Sequence, residues 1–347
     1  MPLPASLARA AVVVAALLSA AAPVLAIEPN DVRTAMPTTD IATAVTSAPD
    51  PARRFDAGAA PAHDAAARGG PDDDVLPIQR DATNRMTVAV TIANTAGLQS
   101  PYAFLVDTGA ERTVIARTVA NALGLTPNAH GRLVGMAGVR DVDLVTIESI
   151  MLGRRNLYGV ASPVLEAEAI GADGIIGLDG LQGQRILLDF DNGRMSLGDK
   201  ATLGGDRGYD IVVRARRKSG QLIMTNATID GVRTDIVIDT GSDTSIGNAE
   251  LARALMRDHR PETVQLLSVT GQQATADLGM ARTLILGGMT INNTLIAFSD
   301  APPFERLGLR RRPALLLGMA QLRLFHRVAI DFATRRILFA MPTAPAG

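Results

Sequence analysis

Two aspartates, Asp107 and Asp239, close the same short string of residues. The first copy reads Phe104-Leu105-Val106-Asp107-Thr108-Gly109-Ala110 and the second Ile236-Val237-Ile238-Asp239-Thr240-Gly241-Ser242. In each, an apolar, β-prone run ends in Asp-Thr-Gly and a small residue, which predicts a buried strand closed by a turn at the glycine. A carboxylate at the end of such a strand is costly to bury unless it is hydrogen-bonded or paired. Two of them in equivalent settings point to a meeting of the pair. Carboxylates held roughly 3 Å apart cannot both ionise and share one proton. One can then take a proton from a bound water while the other donates to a carbonyl oxygen.

Few other residues offer chemistry. The chain has no Cys, which excludes disulfides, thiolate metal sites and a Cys nucleophile. Its four histidines, His63, His130, His259 and His326, show no metal-ligand spacing and read as surface or loop residues. No metal and no cofactor is expected. There is no nucleophile elbow, Walker loop or dinucleotide fingerprint. Asp189 and Asp331 also recur, each in an Asp-Phe context at a hairpin, and are expected to stabilise turns. A formal net charge of -1 gives no electrostatic footprint for nucleic acid.

The elements that must position the aspartates repeat as well. Met86–Ile92 alternates as a strand, Tyr102–Val106 returns as its partner, and Ala116–Leu123 reads as a helix stopped by Gly124. Gly135-Met136-Ala137-Gly138 is a flexible tip between Leu133-Val134 and Val139–Leu144, and Ile147–Leu152 is read as a further strand. Gly174-Ile175-Ile176-Gly177 follows, then Ile186–Phe190, a turn at Asn192-Gly193, and Arg194–Leu197. The second half gives strands at Tyr209–Val213, Leu222–Ile229 and Thr234–Ile238, a helix over Ala249–Met256 and a tip at Ser268-Val269-Thr270-Gly271-Gln272-Gln273. Strands at Leu284–Leu286 and Leu295–Ala297, the string Leu315-Leu316-Leu317-Gly318, and a hairpin at Val328–Phe332 and Ile337–Phe339 complete it. Asp107 and Asp239 are 132 residues apart, Gly177 and Gly318 are 141, and Asp189 and Asp331 are 142. Three motifs in one order at nearly constant offset indicate an internal duplication. The extra length of the second copy is assigned to Asp300–Pro303 and Arg310–Pro313, the arginines there forming a solvated loop.

The ends read differently. Residues 1–26 have the pattern of a secretory signal peptide, with Arg9, an apolar stretch Ala10–Leu25 and small residues up to Ala26. An uncleaved anchor is the rival, though the stretch is short and Ala-rich for a spanning helix. Residues 27–77 are poor in large apolar residues and are expected to be a disordered linker, the alternative being an inhibitory propeptide led by Arg53-Arg54. Two lobes are then expected over residues 78–203 and 204–347.

Over roughly residues 78–340 the chain resembles the retropepsin-like aspartic proteases. The likeness rests on Leu105-Val106-Asp107-Thr108-Gly109-Ala110-Glu111-Arg112-Thr113-Val114 with Gly174-Ile175-Ile176-Gly177 downstream, and on the equivalent pair in the second half. It implies an all-β fold of two similar closed β-barrel lobes in one chain. Each would carry a short helix after its Asp-Thr-Gly loop, with one site between the lobes. It assigns catalysis to Asp107 and Asp239 and makes Thr108 and Thr240 cross-loop hydrogen bonds. Gly109 and Gly241 would let backbone N–H groups approach the carboxylates. Ala110 and Ser242 would lie beside those carboxylates. Ser242 is expected to donate to its carboxylate, so that the Ala110 side holds a proton to higher pH. Gly135, Met136, Gly271 and Gln272 would form flap tips over the substrate. Viral members pair two chains and pepsin-like members carry both halves in one, so this chain is expected to be a monomer acting as an internal pseudo-dimer. It departs from the viral Gly-Arg-Asn or Gly-Arg-Asp, having Leu178-Asp179 and Met319-Ala320 instead.

The implied activity is an aspartic endopeptidase acting on peptide or protein substrates. It would be periplasmic or secreted, with no nucleic-acid partner and no stable membrane insertion after signal cleavage. The alternative is a non-catalytic periplasmic peptide-binding or scaffold protein on the same fold.

Overall fold

The structure is a computed structural model that describes residues 12–14, 74–81, 83–93, 97, 99–255 and 262–342. The described residues lie in one compact unit. The expected signal peptide and linker lie outside the described residues except at two places. Val12–Val14 forms a short strand parallel to Leu266–Ser268. Asp74–Pro77 is a strand antiparallel to Arg194–Leu197.

The period-2 pattern of the sequence becomes a wall with an inside and an outside. Along Met86–Ala93, Val88, Val90 and Ile92 are buried while Ala89 is exposed. The first half closes into a six-stranded barrel in the order Met86–Ala93, Gln99–Val106, Gly174–Ile176, Val114–Ala116, Arg155–Leu165 and Gly138–Leu152. Closure comes from Thr91 and Ile92 pairing with Met151 and Ile150. The second half repeats this with Gln221–Ile229, Val232–Ile238, Ala314–Leu317, Ser245–Gly247, Met289–Phe298 and Gln273–Leu286, closed by Ala227–Ile229 against Leu284–Leu286.

The apolar-Gly strings sit at the centre of each barrel wall. Gly174–Ile176 runs parallel to Phe104–Val106 and antiparallel to Val114–Ile115. Ala314–Leu317 does the same against Asp235–Ile238 and Ile246–Gly247. Both strings are buried throughout, which accounts for their unbroken apolar character. The glycine that ends each is required by close approach. A Cβ on Gly177 would lie 2.5 Å from the Arg112 carbonyl, and one on Gly318 would lie 2.8 Å from the carbonyl of Asp243.

The two barrels are locked by a third sheet that neither could form alone. Its order is Ile211–Lys218, Arg336–Ala340, Arg327–Asp331, Arg185–Asp189, Arg194–Gly198 and Asp74–Pro77, antiparallel throughout. The central pair joins the two repeated Asp-Phe hairpins. Leu187 faces Ala329, its own counterpart in the duplication, so the pseudo-twofold axis passes through that pair. Leu178-Asp179 and Met319-Ala320 begin short helices at Leu178–Leu181 and Met319–Leu322. Asp179 accepts from the backbone and hydroxyl of Thr113 and so braces the first loop.

Three local expectations change. Ile147–Leu152 is the end of one strand, Gly138–Leu152, which bends across the barrel without a break. Short helices at Ala167–Ile170, Leu178–Leu181, Pro302–Arg306 and Met319–Leu322 were not foreseen. Tyr209 lies outside its expected strand, which spans Ile211–Lys218. The extra length of the second half lies mainly in the loop after the helix Pro302–Arg306, where Arg310 pairs with Asp300 and Glu305, and Arg312 with Asp235.

Candidate active site

Each aspartate is fixed first through its backbone. The N–H of Asp107 donates to Ile176 and that of Asp239 to Leu317, both at 3.0 Å. On the far side of each loop, Leu178 donates to Ala110 and Met319 to Ser242, both at 2.8 Å. Each central string thus grips its Asp-Thr-Gly loop at both ends.

The threonines tie the two loops together. Thr108 Oγ1 donates to the carbonyl of Ile238 at 2.9 Å, and Thr240 Oγ1 donates to that of Val106 at 2.7 Å. The backbone N–H of Thr108 donates to Thr240 Oγ1 at 3.0 Å, and that of Thr240 to Thr108 Oγ1 at 3.3 Å. All these groups are buried, where a satisfied polar network is rigid and a half-satisfied one is costly.

This clasp brings the carboxyl groups face to face. A Cβ on Gly241 would lie 2.3 Å from Cγ of Asp107, and one on Gly109 would lie 2.7 Å from Oδ1 of Asp239. Each glycine therefore packs against the aspartate of the other lobe. Oδ1 of Asp107 accepts from the N–H groups of Gly109 at 2.7 Å and Ala110 at 3.1 Å. Oδ1 of Asp239 accepts from Gly241 at 3.0 Å. Oδ2 of each is buried with no protein donor. Both aspartates are almost wholly shielded from solvent. Burial pushes Asp107 up to about 6, against the pull of the Gly109 and Ala110 N–H groups and of the Arg85 cation. Burial, with the charge of Asp107 beside it, pushes Asp239 well above the usual carboxylate range. The pair therefore carries a shared proton through the acid range and into the neutral one.

One expectation is corrected. Ser242 Oγ donates to the carbonyl of Thr244 at 2.7 Å, two residues on, and is turned away from the carboxylate. The hydroxyl therefore does not supply the donation to Asp239 that was expected to set the two sides of the pair apart.

The flap residues lie at the tips of two hairpins. Met136 is in the turn between Ala129–Gly135 and Gly138–Leu152, and Gly271 and Gln272 are in the turn between Glu262–Ser268 and Gln273–Leu286. The two tips meet each other. A Cβ on Gly135 would lie 2.8 Å from Ser268 Oγ, Gly138 faces the Gln272 amide, and Arg140 donates to the carbonyl of Thr270. Met136 is buried in an apolar cluster of the second lobe with Phe304, Leu307 and Leu309. Glu111, four residues past Asp107, is held by both Nε and Nη2 of Arg306 from the same second-lobe helix.

Two buried residues beside the dyad were missed in the sequence. Gln221 Nε2 donates to the carbonyl of Gly109 at 2.7 Å across the lobes. Arg85 is fully buried against Asp81. Each is a single polar residue at the start of an apolar strand, and only its place beside the duplicated strand could have marked it. Asp189 and Asp331 lie in the connecting hairpins and accept from Asn192 and Thr334 in their turns. Among the described residues no group of three His, Asp or Glu side chains could hold a metal ion.

The arrangement can activate a water between two carboxyl groups and protonate a carbonyl oxygen, with no covalent intermediate. Comparison with known proteins agrees with that chemistry. The profile of a family described as aspartyl protease matches residues 88–179 and again residues 225–320. The two matches fall on the two barrels and cover more than half of the chain. No curated protein shows significant similarity to the chain.

Proposed function

This chain belongs to the aspartyl protease family, and we propose that it is a retropepsin-like endopeptidase whose one active site forms between its two halves. The observation that carries the reading is the intact pair. Asp107 and Asp239 are buried face to face, each gripped by backbone N–H groups, with Oδ2 of each unclaimed by any protein donor. A degenerate lobe kept only for binding would have no need to hold two ionisable groups in so costly a setting.

In the proposed reaction one carboxylate removes a proton from water, and the water oxygen bonds to the scissile carbonyl carbon. The other carboxyl gives its proton to the carbonyl oxygen. The tetrahedral species collapses when the first group returns its proton to the leaving nitrogen and the second recovers one from a hydroxyl. The C–N bond breaks, giving a free acid and a free amine. The dyad ends with the single proton it began with. The two flap hairpins exclude bulk water, which strengthens every electrostatic interaction beneath them. The proposed substrate is an extended peptide bound between the flap hairpins and the dyad, where flap strands offer backbone groups for β-pairing.

We further propose that the protein acts in the periplasm or after secretion, as a monomer, the duplication supplying the second half that a dimer would supply. The basic and apolar pattern of residues 1–26 supports export, and the sheet shared by both halves supports the internal pseudo-dimer. The test is cleavage of an unstructured protein by the purified full chain, with Asp107→Asn and Asp239→Asn as controls. Cleavage lost in both variants, from a protein that elutes as a monomer, supports the reading. A folded wild type inactive on diverse peptides from acid to neutral pH would instead favour a peptide-binding protein on the same fold.

A further inference from the structure

The two halves share one plan, so any difference between counterparts close to the dyad breaks its symmetry. Strand register supplies the matching. Thr87 pairs with Leu105, two residues before Asp107, and Ile223 pairs with Val237, two residues before Asp239. Arg85 and Gln221, each two residues ahead of the paired position, are therefore counterparts. Both are buried, and the reaction as written uses neither.

They act differently. The carbonyl of Gly109 that receives Gln221 Nε2 at 2.7 Å belongs to the same peptide group as the N–H of Ala110. That N–H donates to Asp107 Oδ1. A donor on the carbonyl end of a peptide group fixes its plane and polarises the N–H at the other end. Asp107 and Asp239 each draw on two backbone N–H groups, those of Gly109 and Ala110 and those of Gly241 and Ser242, but at Asp107 one of the two is braced from the opposite lobe. Arg85 makes no equivalent bond to the second loop. Its Nε donates to Asp81 at 2.8 Å and its Nη2 to the carbonyl of Ile170 at 2.5 Å, while Nη1 is buried without a partner. Its positive charge favours the ionised form of Asp107.

We infer that Gln221 and Arg85 are positioning residues that divide the labour of the dyad. They hold the negative charge on Asp107, which takes the proton from water, and leave Asp239 as the protonated partner that donates to the carbonyl oxygen. The inference takes its chemistry from the endopeptidase reading, but the placement of charge does not depend on that reading. Other charged groups near the loops do not reverse it. Glu111 is paired with Arg306, and its counterpart Asp243 with Arg323, so the two loops carry similar pairs. Asp81 offsets part of the Arg85 charge, Asp179 is engaged by Thr113, and Arg112 is exposed.

The experiment reads the carboxyl carbons of the full chain by NMR, with aspartate labelled at Cγ. Asp239→Asn leaves Asp107 to titrate alone, and Asp107→Asn leaves Asp239 alone. The lone Asp107 is expected to titrate at least about one pH unit, tenfold in acid constant, below the lone Asp239. Gln221→Met, close in volume and uncharged, is then added to each. It should raise the pKa of the lone Asp107 and leave that of the lone Asp239 unmoved. Arg85→Met, combined with Asp81→Asn so that no carboxylate is left buried without its cation, should act in the same sense. In the wild-type dyad, Gln221→Met should move the acid limb of kcat/KM toward neutral pH. A lone Asp107 that titrates at or above the lone Asp239 overturns the inference. So do substitutions at 221 and 85 that move both aspartates alike. None of the NMR readings needs turnover. A protein with the expected titrations that cleaves no peptide would sink the endopeptidase reading and leave the charge assignment standing.

Discussion

At the scale of single residues, the site tolerates almost no added volume. A methyl group on Gly241 would need the space of the Asp107 carboxyl, and the atoms to be displaced are held by backbone N–H groups. Gly241→Ala should therefore leave a folded protein whose dyad is displaced, with turnover down by at least about 10²-fold, since errors near 1 Å cost that much. Turnover measured beside thermal unfolding separates this from loss of the fold. A Gly241→Ala protein with normal turnover would mean that the glycine does not face Asp107. The duplicated Asp-Thr-Gly was legible because few residue types suit a buried, hydrogen-bonded turn. The direction of the Ser242 hydroxyl was not, because a serine in a tight turn can bond to its own backbone as readily as to a neighbour. Gln221 was invisible for a related reason. Its partner is in the other lobe, and nothing local marks a glutamine that reaches there.

At the scale of elements, strands could be read because burial alternates along them, whereas helices of four or five residues could not. One turn gives no 3.6-residue period to detect. Two of those helices flank the flaps. Pro302–Arg306 sets Phe304 into the cluster that receives Met136, and its Arg306 holds Glu111. Across the pseudo-twofold axis, Val269 in the other flap tip is also buried, and Gly271 lies beside Ala169 of the helix Ala167–Ile170. Each flap tip thus rests on a short helix of the opposite lobe. Met136→Ala removes a buried side chain, a change costing about 2–5 kcal/mol in a core. Here the loss should fall on local flap opening and not on the global transition. Amide exchange over 129–145 should quicken and KM rise, with the midpoint of thermal unfolding little changed. If the midpoint falls steeply while flap exchange stays slow, the contact belongs to the global core and is no latch.

At the scale of the whole molecule, the connecting sheet carries a charged centre that the sequence did not announce. Its members lie far apart in the chain and meet only when the two hairpins pair. Arg185, fully buried, donates to Asp331 from Nε at 3.1 Å and from Nη2 at 2.8 Å, and reaches Asp206, which also binds Arg336 and Lys200. Removing the cation leaves Asp331 buried and unpaired, which costs about 3–5 kcal/mol. Arg185→Met should therefore lower the unfolding midpoint far more than the double change with Asp331→Asn does. Equal losses would mean that the pair contributes packing alone.

The same two centres give the molecule a pH dependence with two flanks. Although desolvation opposes it, the cations around Asp206 hold its carboxyl down at about 2, and the Thr334 and Arg185 bonds hold Asp331 below its ordinary value. A depressed pKa contributes stability that is complete above the unfolded value near 3.9 and is lost as pH falls toward 2. The dyad works in the other direction. With Asp107 raised to about 6 and Asp239 well above its ordinary range, the folded state holds protons that the unfolded chain has released. That contribution is complete below about 4 and is lost as pH rises through 6. For Asp107 alone the shift corresponds to roughly 2–3 kcal/mol. Stability should then peak at about pH 4–5. The double variant Asp107→Asn, Asp239→Asn should lose the decline toward neutral pH and be the more stable protein at pH 7, while keeping the acid flank. Arg185→Met should make the acid flank shallower and leave the neutral one. Unfolding midpoints from pH 2 to 8 for the three proteins decide it. A doubly substituted protein that declines from pH 4 to 7 as steeply as the wild type would show that the dyad is not where the folded state holds its extra proton.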